Sequence, residues 1–365
     1  MIRYYMPVEF YFGKNALVEN GGKLKQWGQK AIVITGRSSA KVSGALDDLT
    51  TVFEQNGQEY TIFDKIKENP YLTTVKEGAK KLQDYEADFV IGIGGGSPID
   101  AAKAISALAY NNLQGEEIYQ TKKYINGAYP IMAIPTTSGT GTEVTPYSVI
   151  TNKENGIKAG FGSSHIFPKI SFIDPKYTLS LPYKVTKDTA IDALSHLLEG
   201  IYSRRRNKVN FPIIKRGIEI IKDNLAICLN NPKNLECREK LMLASTYGGM
   251  VISQTSTTIQ HSIGYPLTSS YGVTHGLANG LVMKHIMEKF YPYLQEELDD
   301  LFAYLEMSKE DFYEWIDSLN LNVGVKIEDW FIEEKVEEVL NSRNMALNPT
   351  EVTAEDIKEI YKKIQ

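Results

Sequence analysis

A parallel α/β domain over residues 1–180, followed by an all-helical domain over 181–365, is the architecture this chain predicts. Three features predict it. Short apolar runs alternate with helix-like stretches through the first half, glycine-rich turns follow two of those runs, and helical periodicity takes over from about Leu181. At 365 residues the chain is too long for one simple core and suits two domains. Its 42% apolar and 23% charged content is that of a soluble globular protein.

Taken in order, Ala31–Thr35 (AIVIT) is an apolar, β-branched run ending at Gly36, as a buried parallel strand should. A helical stretch reaches about Gln55, and Tyr60–Phe63 reads as a second strand. Glu68-Asn69-Pro70 breaks the chain before a helix ending near Tyr85. Phe89–Ile93 is a third strand and Ile131–Ile134 a fourth. Strand, helix, strand in repetition means parallel strands joined by right-handed crossovers. Such a sheet binds ligands beyond the carboxyl ends of its strands. From Pro182 to Gln365 the pattern is helical, with capping signals at Ser308-x-x-Asp311 and Thr353-x-x-Asp356. The alternating segment Tyr4–Phe12 could pair across a two-fold axis as an edge strand.

Composition removes several functions. No run of eighteen apolar residues occurs, which excludes a transmembrane helix. The opening MIRYYMPVEFYFG lacks a basic region followed by an apolar core, so no signal peptide and a cytoplasmic location are expected. Cys228 and Cys237 have no zinc-ligand spacing and read as reduced, structural thiols. A net charge of −5 argues against nucleic acid as a partner, and Arg204-Arg205-Arg206 reads as a solvated loop.

The third strand runs into IGIGGGSPIDAAKAI, residues 91–105. Gly94, Gly95 and Gly96 allow a tight turn and close approach of a ligand, Ser97 is the expected N-cap, and Pro98 suits the first helical position. Free N–H groups at that helix start suit a diphosphate. The stretch departs from G-x-G-x-x-G because Ser97 takes the place of the last glycine, and a ligand-free glycine turn is the alternative. After the fourth strand, PTTSGTGTEVTPYS (135–148) offers hydroxyls at Thr136, Thr137, Ser138 and Thr142 for ribose and phosphate, as would a plain polar loop.

Residues 189–202, TAIDALSHLLEGIY, place Asp192 and His196 one turn apart on a helix whose other positions, Ile191, Leu194, Leu197, Leu198 and Ile201, look buried. A divalent metal would pair with them. The alternative is a solvated stripe of Asp192, Ser195, His196 and Glu199. His261 and His275 flank QHSIGYPLTSSYGVTHGLANG and could complete a set of one carboxylate and three imidazoles, suited to Fe(II), Zn or Mn. His165 and His285 have surface or core roles in this reading.

The chain resembles the iron-containing (group III) alcohol dehydrogenases, and most closely their 1,3-propanediol and butanol dehydrogenase branch. The resemblance rests on GGGSPIDAAK (94–103), TTSGTGTEVT (136–145), DALSH (192–196), QHSIGYPL with His261, and THG with His275, and it spans nearly the whole chain. It implies a dehydroquinate synthase-like plan: a dinucleotide-binding α/β domain and a helical metal-binding domain. By the resemblance, the metal ligands are Asp192, His196, His261 and His275. The diphosphate contacts are Gly95, Gly96 and Ser97 beside Gly94, and the nicotinamide side is met by Thr136, Thr137 and Lys158, with Asn69, Asp100 and Thr142 among the further cofactor contacts. Hydride transfer between a nicotinamide cofactor and a small primary alcohol or aldehyde is the implied reaction, with Fe(II), or zinc as purified, as Lewis acid. A homodimer is implied too.

Two departures from the family pattern matter. Where many members have Asp to bind the ribose 2′-hydroxyl, this chain has Gly36, followed by Arg37, Ser38 and Ser39, a set that can receive a 2′-phosphate. NADP(H) is therefore expected over NAD(H). Where many carry a histidine four residues after the third ligand, this chain has Tyr265, assigned here to the proton path. A glycerol dehydrogenase-like or lyase enzyme of the same fold, and a non-catalytic nucleotide- and metal-binding sensor, are the alternatives.

Overall fold

In the computed structural model, which describes all residues except 153, 155–157, 323 and 365, a strand-and-helix half precedes a helical half. The first comprises β1 (Glu9–Phe12), α1 (Ala16–Asn20), β2 (Lys30–Gly36), α2 (Ser39–Val42), α3 (Ala45–Asn56), β3 (Glu59–Ile66), α4 (Leu72–Tyr85), β4 (Phe89–Gly94), α5 (Gly96–Tyr110), α6 (Thr121–Tyr124), β5 (Ile131–Pro135), β6 (Tyr147–Thr151), β7 (Lys158–Gly162) and β8 (Ile170–Ile173). The second comprises α7 (Tyr183–Tyr202), α8 (Phe211–Asn230), α9 (Leu235–Thr255), α10 (Ile259–Tyr271), α11 (His275–Phe290), α12 (Gln295–Tyr304), α13 (Lys309–Ser318), α14 (Asp329–Leu340) and α15 (Ala354–Lys363). Gln365, where the sequence reading ended the helical stretch, lies outside the described residues.

Six strands form one parallel sheet in the order β1-β8-β5-β4-β2-β3, and β6 and β7 form a separate antiparallel hairpin. The continuous apolar runs are explained by burial on both faces. Along β2, Ile32 and Ile34 join the core under α4 and α5, while Ala31 and Val33 join the opposite core with α3. The four strands expected from sequence are β2 to β5. Those missed are β8, four residues between Lys169 and Asp174, and the hairpin. The alternating Tyr4–Phe12 segment contributes four residues as an edge strand, paired with β8 on its inner side.

The glycine turn starts its helix earlier than expected. Gly95 is the N-cap and Gly96 the first helical residue of α5, so Ser97 does not cap; its Oγ instead accepts the Asn69 N–H at 3.3 Å. The reason is Gly94, whose φ of +146° turns the chain sharply directly after β4, before Ser97 is reached. Pro98 then falls within the first turn, where it still costs no helical bond. The two capping boxes, Ser308 with Asp311 and Thr353 with Asp356, form as the spacing implies.

The polar segment after β5 is held by one buried cation. Lys103, fully buried in α5, donates to the Thr142, Thr145 and Tyr147 carbonyls at 2.7, 2.9 and 2.8 Å and to the Thr142 and Thr145 hydroxyls at 2.7 and 3.3 Å. Replacing Lys103 by Met strips all five acceptors of their donor. Urea unfolding is expected to show a loss of about 3–5 kcal/mol; a loss below about 1 kcal/mol would mean that the segment is held by other contacts.

Candidate functional site

Asp192, His196, His261 and His275 come from three helices and meet at one point. The long α7 supplies Asp192 and His196, α10 supplies His261 in its first turn, and His275 opens α11. One oxygen of Asp192, Oδ1, lies 3.8 Å from Nε2 of His196, 3.8 Å from Nε2 of His261 and 3.6 Å from Nε2 of His275. The His196 and His261 Nε2 atoms are 3.1 Å apart, their rings stacked. Asp192, His261 and His275 form a group whose ligand atoms lie within 4.8 Å of one another, close enough to share one metal ion.

The alternative of a solvated stripe does not hold. Asp192, Ser195, His196 and Glu199 are 3%, 0%, 4% and 0% exposed, because α7 runs through the centre of the helical half with α8, α9 and α11 around it. His275 is the open side of the cluster, its side chain 26% exposed. Burial pulls the His196 and His275 imidazoles down, His275 well below its ordinary value, so both favour the neutral form that offers a lone pair. Burial pushes the Asp192 carboxyl up, but the three imidazoles outweigh it and hold it low. Burial pulls the His261 imidazole down too, but Glu199 and Asp192 outweigh it and raise it. A carboxylate facing these ring nitrogens is a cation site in shape, and the donor set suits Fe(II), Zn or Mn.

Close helix packing makes the convergence possible. A Cβ at Gly276 would stand 1.9 Å from the Asp188 carbonyl oxygen and 3.0 Å from Asp192 Cβ, so α11 can approach α7 only with glycine there. Thr274 Oγ1 donates to Asp188 Oδ2 at 2.5 Å, tying the start of α11 to the same turn of α7. Across the cluster, Tyr265 stacks on His275 at 5.4 Å between ring centres, and the Lys158 ammonium sits 5.3 Å from the Tyr265 ring centre. Burial pulls Lys158 down to about 8 against the opposing charges of Asp192, Glu68 and Asp100, and burial raises the Tyr265 phenol.

The glycine turn and the polar segment sit side by side at the carboxyl edge of the sheet, where Gly94 of β4 pairs with Pro135 of β5. Thr136 N–H donates to the Gly94 carbonyl at 2.8 Å. A Cβ on Gly95 would meet Thr137 at 3.1 Å and one on Gly96 would meet Thr140 at 2.7 Å. The hydroxyls of Thr35, Thr136 and Ser138 are buried here without a protein partner, as expected of groups that await a polar ligand. Gly36 ends β2 at the same edge, and Arg37, Ser38 and Ser39 beyond it are exposed. Asp100 and Thr142 face inward instead: Thr142 Oγ1 donates to Asp100 Oδ1 at 2.6 Å, and the Val149 N–H to Asp100 Oδ2 at 2.9 Å.

Two buried polar side chains at the histidines have no functional role in the sequence reading, where Glu199 appears only in the solvated-stripe alternative. Glu199, one turn beyond His196, bonds His261 Nδ1, and Asn279, one turn beyond His275, donates to Asp192 Oδ1 at 3.1 Å. Their one-turn spacing from a histidine was the available signal. His285 lies in α11 facing Glu288 at 3.5 Å, and His165 lies in a short 3-10 turn. Arg204 and Arg205 are exposed, and Arg206, its side chain 30% exposed, also pairs with Glu297 at 2.6 Å. A surface cavity of about 400 Å³ between the N-terminal segment, Tyr147 and Gln254 shares no residue with the cluster.

Known proteins agree with this picture. Residues 7–175 match the iron-containing alcohol dehydrogenase family model, and residues 186–365 match the C-terminal model of the same family. A curated NADPH-dependent butanol dehydrogenase from Clostridium saccharobutylicum is 31% identical over 79% of this chain and 74% of its own length. Among solved structures, an iron-containing alcohol dehydrogenase from Thermotoga maritima superposes with a TM-score of 0.94 at 35% identity, covering 100% of this chain and 99% of that one. A second from the same organism, an NADH-dependent butanol dehydrogenase, gives 0.87 at 26% identity, covering 100% and 98%.

Gly276→Ala tests the packing on which the cluster depends. The added methyl collides with backbone, and urea unfolding is expected to lose about 1–3 kcal/mol or more. Unchanged stability would mean that α7 and α11 separate freely.

Proposed function

The chain belongs to the iron-containing alcohol dehydrogenases, and within that family of oxidoreductases we propose that it transfers hydride between NADP(H) and a small primary alcohol or aldehyde of the butanol or 1,3-propanediol type. The observation that supports this best is the convergence of the Asp192 carboxylate with three imidazole nitrogens beside a glycine-rich sheet edge. Asp192, His196, His261 and His275 would hold Fe(II), with zinc as the alternative occupant. The ion supplies Lewis acidity, which polarises an aldehyde or acidifies an alcohol. Gly94, Gly95, Gly96 and Ser97 would receive the diphosphate at the start of α5, with Asn69 beside them. Thr136 and Thr137 would meet the nicotinamide side; Asp100 and Thr142 would act on the cofactor by holding this segment in place.

Lys158 and Tyr265 would form the polar wall of the reaction chamber. A half-buried ammonium over a phenol ring, next to His275, would orient a substrate hydroxyl and limit the access of bulk water. Tyr265 would take part in moving the alcohol proton outward. The division of labour puts the cofactor on residues 1–180 and the metal on residues 181–365. The exposed edge of β1 supports a homodimer, and the absence of a membrane-length apolar helix among the described residues fits the expected cytoplasmic location.

Relatives differ in the cofactor named for them, so the preference for NADP(H) rests on this chain's own residues. Gly36 leaves room and no negative charge, and Arg37, Ser38 and Ser39 lie exposed beyond it. Gly36→Asp is expected to shift the NADPH-to-NADH ratio of kcat/KM toward NADH by about 10- to 100-fold; an unmoved ratio would remove the argument.

Anaerobically purified protein should oxidise NADPH with butanal, lose that activity on chelation and regain it with Fe(II). His261→Ala and His275→Ala should lose bound metal and turnover together. Turnover that survives in a metal-free variant would overturn the proposal.

A further inference from the structure

We propose that Glu199 is a positioning residue of the metal site: it accepts the Nδ1–H of His261 and so fixes the tautomer in which the bare Nε2 faces Asp192. The inference rests on the reading of His261 as a ligand.

Glu199 is fully buried in the last turn of α7, on the same helix as Asp192 and His196. An unpaired carboxylate in such a place would be strongly destabilising. Its partners are all donors. Oε1 accepts the Thr258 N–H at 2.7 Å, the Thr258 hydroxyl at 2.8 Å and the His261 N–H at 3.3 Å, while Oε2 meets His261 Nδ1. Two of those donors are orphan N–H groups at the start of α10, so Glu199 also caps the helix that delivers His261.

A carboxylate with three other donors on it is an acceptor, and the hydrogen between it and His261 therefore belongs to Nδ1. A neutral imidazole protonated at Nδ1 has its lone pair on Nε2. That atom points at the cluster, 3.1 Å from His196 Nε2 and 3.8 Å from Asp192 Oδ1. The cap and the ring bond act together: one sets where the first turn of α10 begins, the other sets the rotation and tautomer of its imidazole. Carboxylate partners of this kind raise ligand basicity and hold ring orientation.

Glu199→Gln separates the two functions. The amide oxygen can still accept from Thr258, but the amide nitrogen then offers Nδ1 a donor and favours the tautomer with its proton on Nε2. With Co(II) as the probe ion and dipicolinate as competitor, E199Q is expected to release the metal about 10- to 100-fold faster than the unchanged protein. Its cobalt absorption bands should change, and the metal-free unfolding midpoint should stay close to that of the unchanged protein. Glu199→Asp, which keeps a carboxylate, should recover part of the lost retention. His261→Ala is the reference. If it releases Co(II) fast while E199Q does not, the role given to Glu199 is wrong and the ligand reading stands. If His261→Ala retains Co(II) normally, the ligand reading itself fails. Nitrogen NMR of the unchanged, metal-free protein labelled at histidine gives a check that needs no variant at Glu199: His261 protonated at Nδ1 is expected, and an Nε2-protonated His261 would overturn the inference.

Discussion

A carboxylate buried among ring nitrogens is the constraint on which the helical half depends. Asp192 is 3% exposed and has three imidazoles within 3.8 Å of one oxygen, so it can be satisfied only while three separate helices hold their mutual positions. Hydrophobic packing alone does not set positions to that tolerance. Here they are set by backbone contact at glycines: Gly276 lies against the Asp188 carbonyl, Gly248 against His196 Cβ, and Gly264 against the Asn279 side chain. At Gly276 and Gly264 a methyl group would stand within 2.3 Å of its neighbour, at Gly248 it would crowd His196 at 3.2 Å, and each lies at a contact beside the cluster. The apolar faces of α7 to α11 then hold a geometry that the glycines allow and the polar groups require.

The same economy of means operates at the sheet edge. Parallel strands bring the ends of β2, β4 and β5 to one side by topology alone, without any side chain directing them. What the sequence had to add was a short turn free of Cβ atoms and a row of small hydroxyl residues, and it placed both directly after strands. Lys103 keeps the second of these rigid from beneath, drawing three carbonyls and two hydroxyls onto one ammonium. Binding surfaces built on backbone held this way need little reorganisation when a ligand arrives.

Much of this was legible in the sequence, and the exceptions have physical reasons. The strands β2 to β5 announce themselves because burial on both faces demands unbroken apolar runs. The four-residue strand β8 does not, since a run that short has no period to measure. The histidines and Asp192 could be named from residue type and spacing, but whether their helix was buried could not, because DALSHLLE fits a solvated stripe as readily as a core helix until its neighbours are in place. Lys103 was illegible for a related reason. A lysine in an alanine-rich helix suggests the surface, and its partners lie about forty positions further along the chain. Ser97 was misplaced by one local feature, the positive φ of Gly94, which a run of three glycines leaves undetermined.

The polar segment after β5 also ties the two halves together. It begins on the sheet, with Thr136 bonded to Gly94, and then passes against the helical half: a Cβ on Gly139 would strike Thr189 of α7, and Gly141 meets Gly249 of α9 backbone to backbone. Glu143 continues the contact, its Oε1 accepting from Thr246 of α9 at 3.3 Å while Ser171 of β8 donates to its carbonyl at 2.6 Å. A segment pinned to both halves by contacts this close cannot follow one and leave the other. The contacts on both sides make this segment part of the seam between sheet and helices. One end of the segment is bonded to the glycine turn at Gly94, and Gly139 lies against α7, the helix that carries Asp192 and His196. For a reaction in which a carbon of the cofactor must come within contact of a carbon of the substrate, fixing the spacing of turn and helix in the ground state of the protein is the useful arrangement.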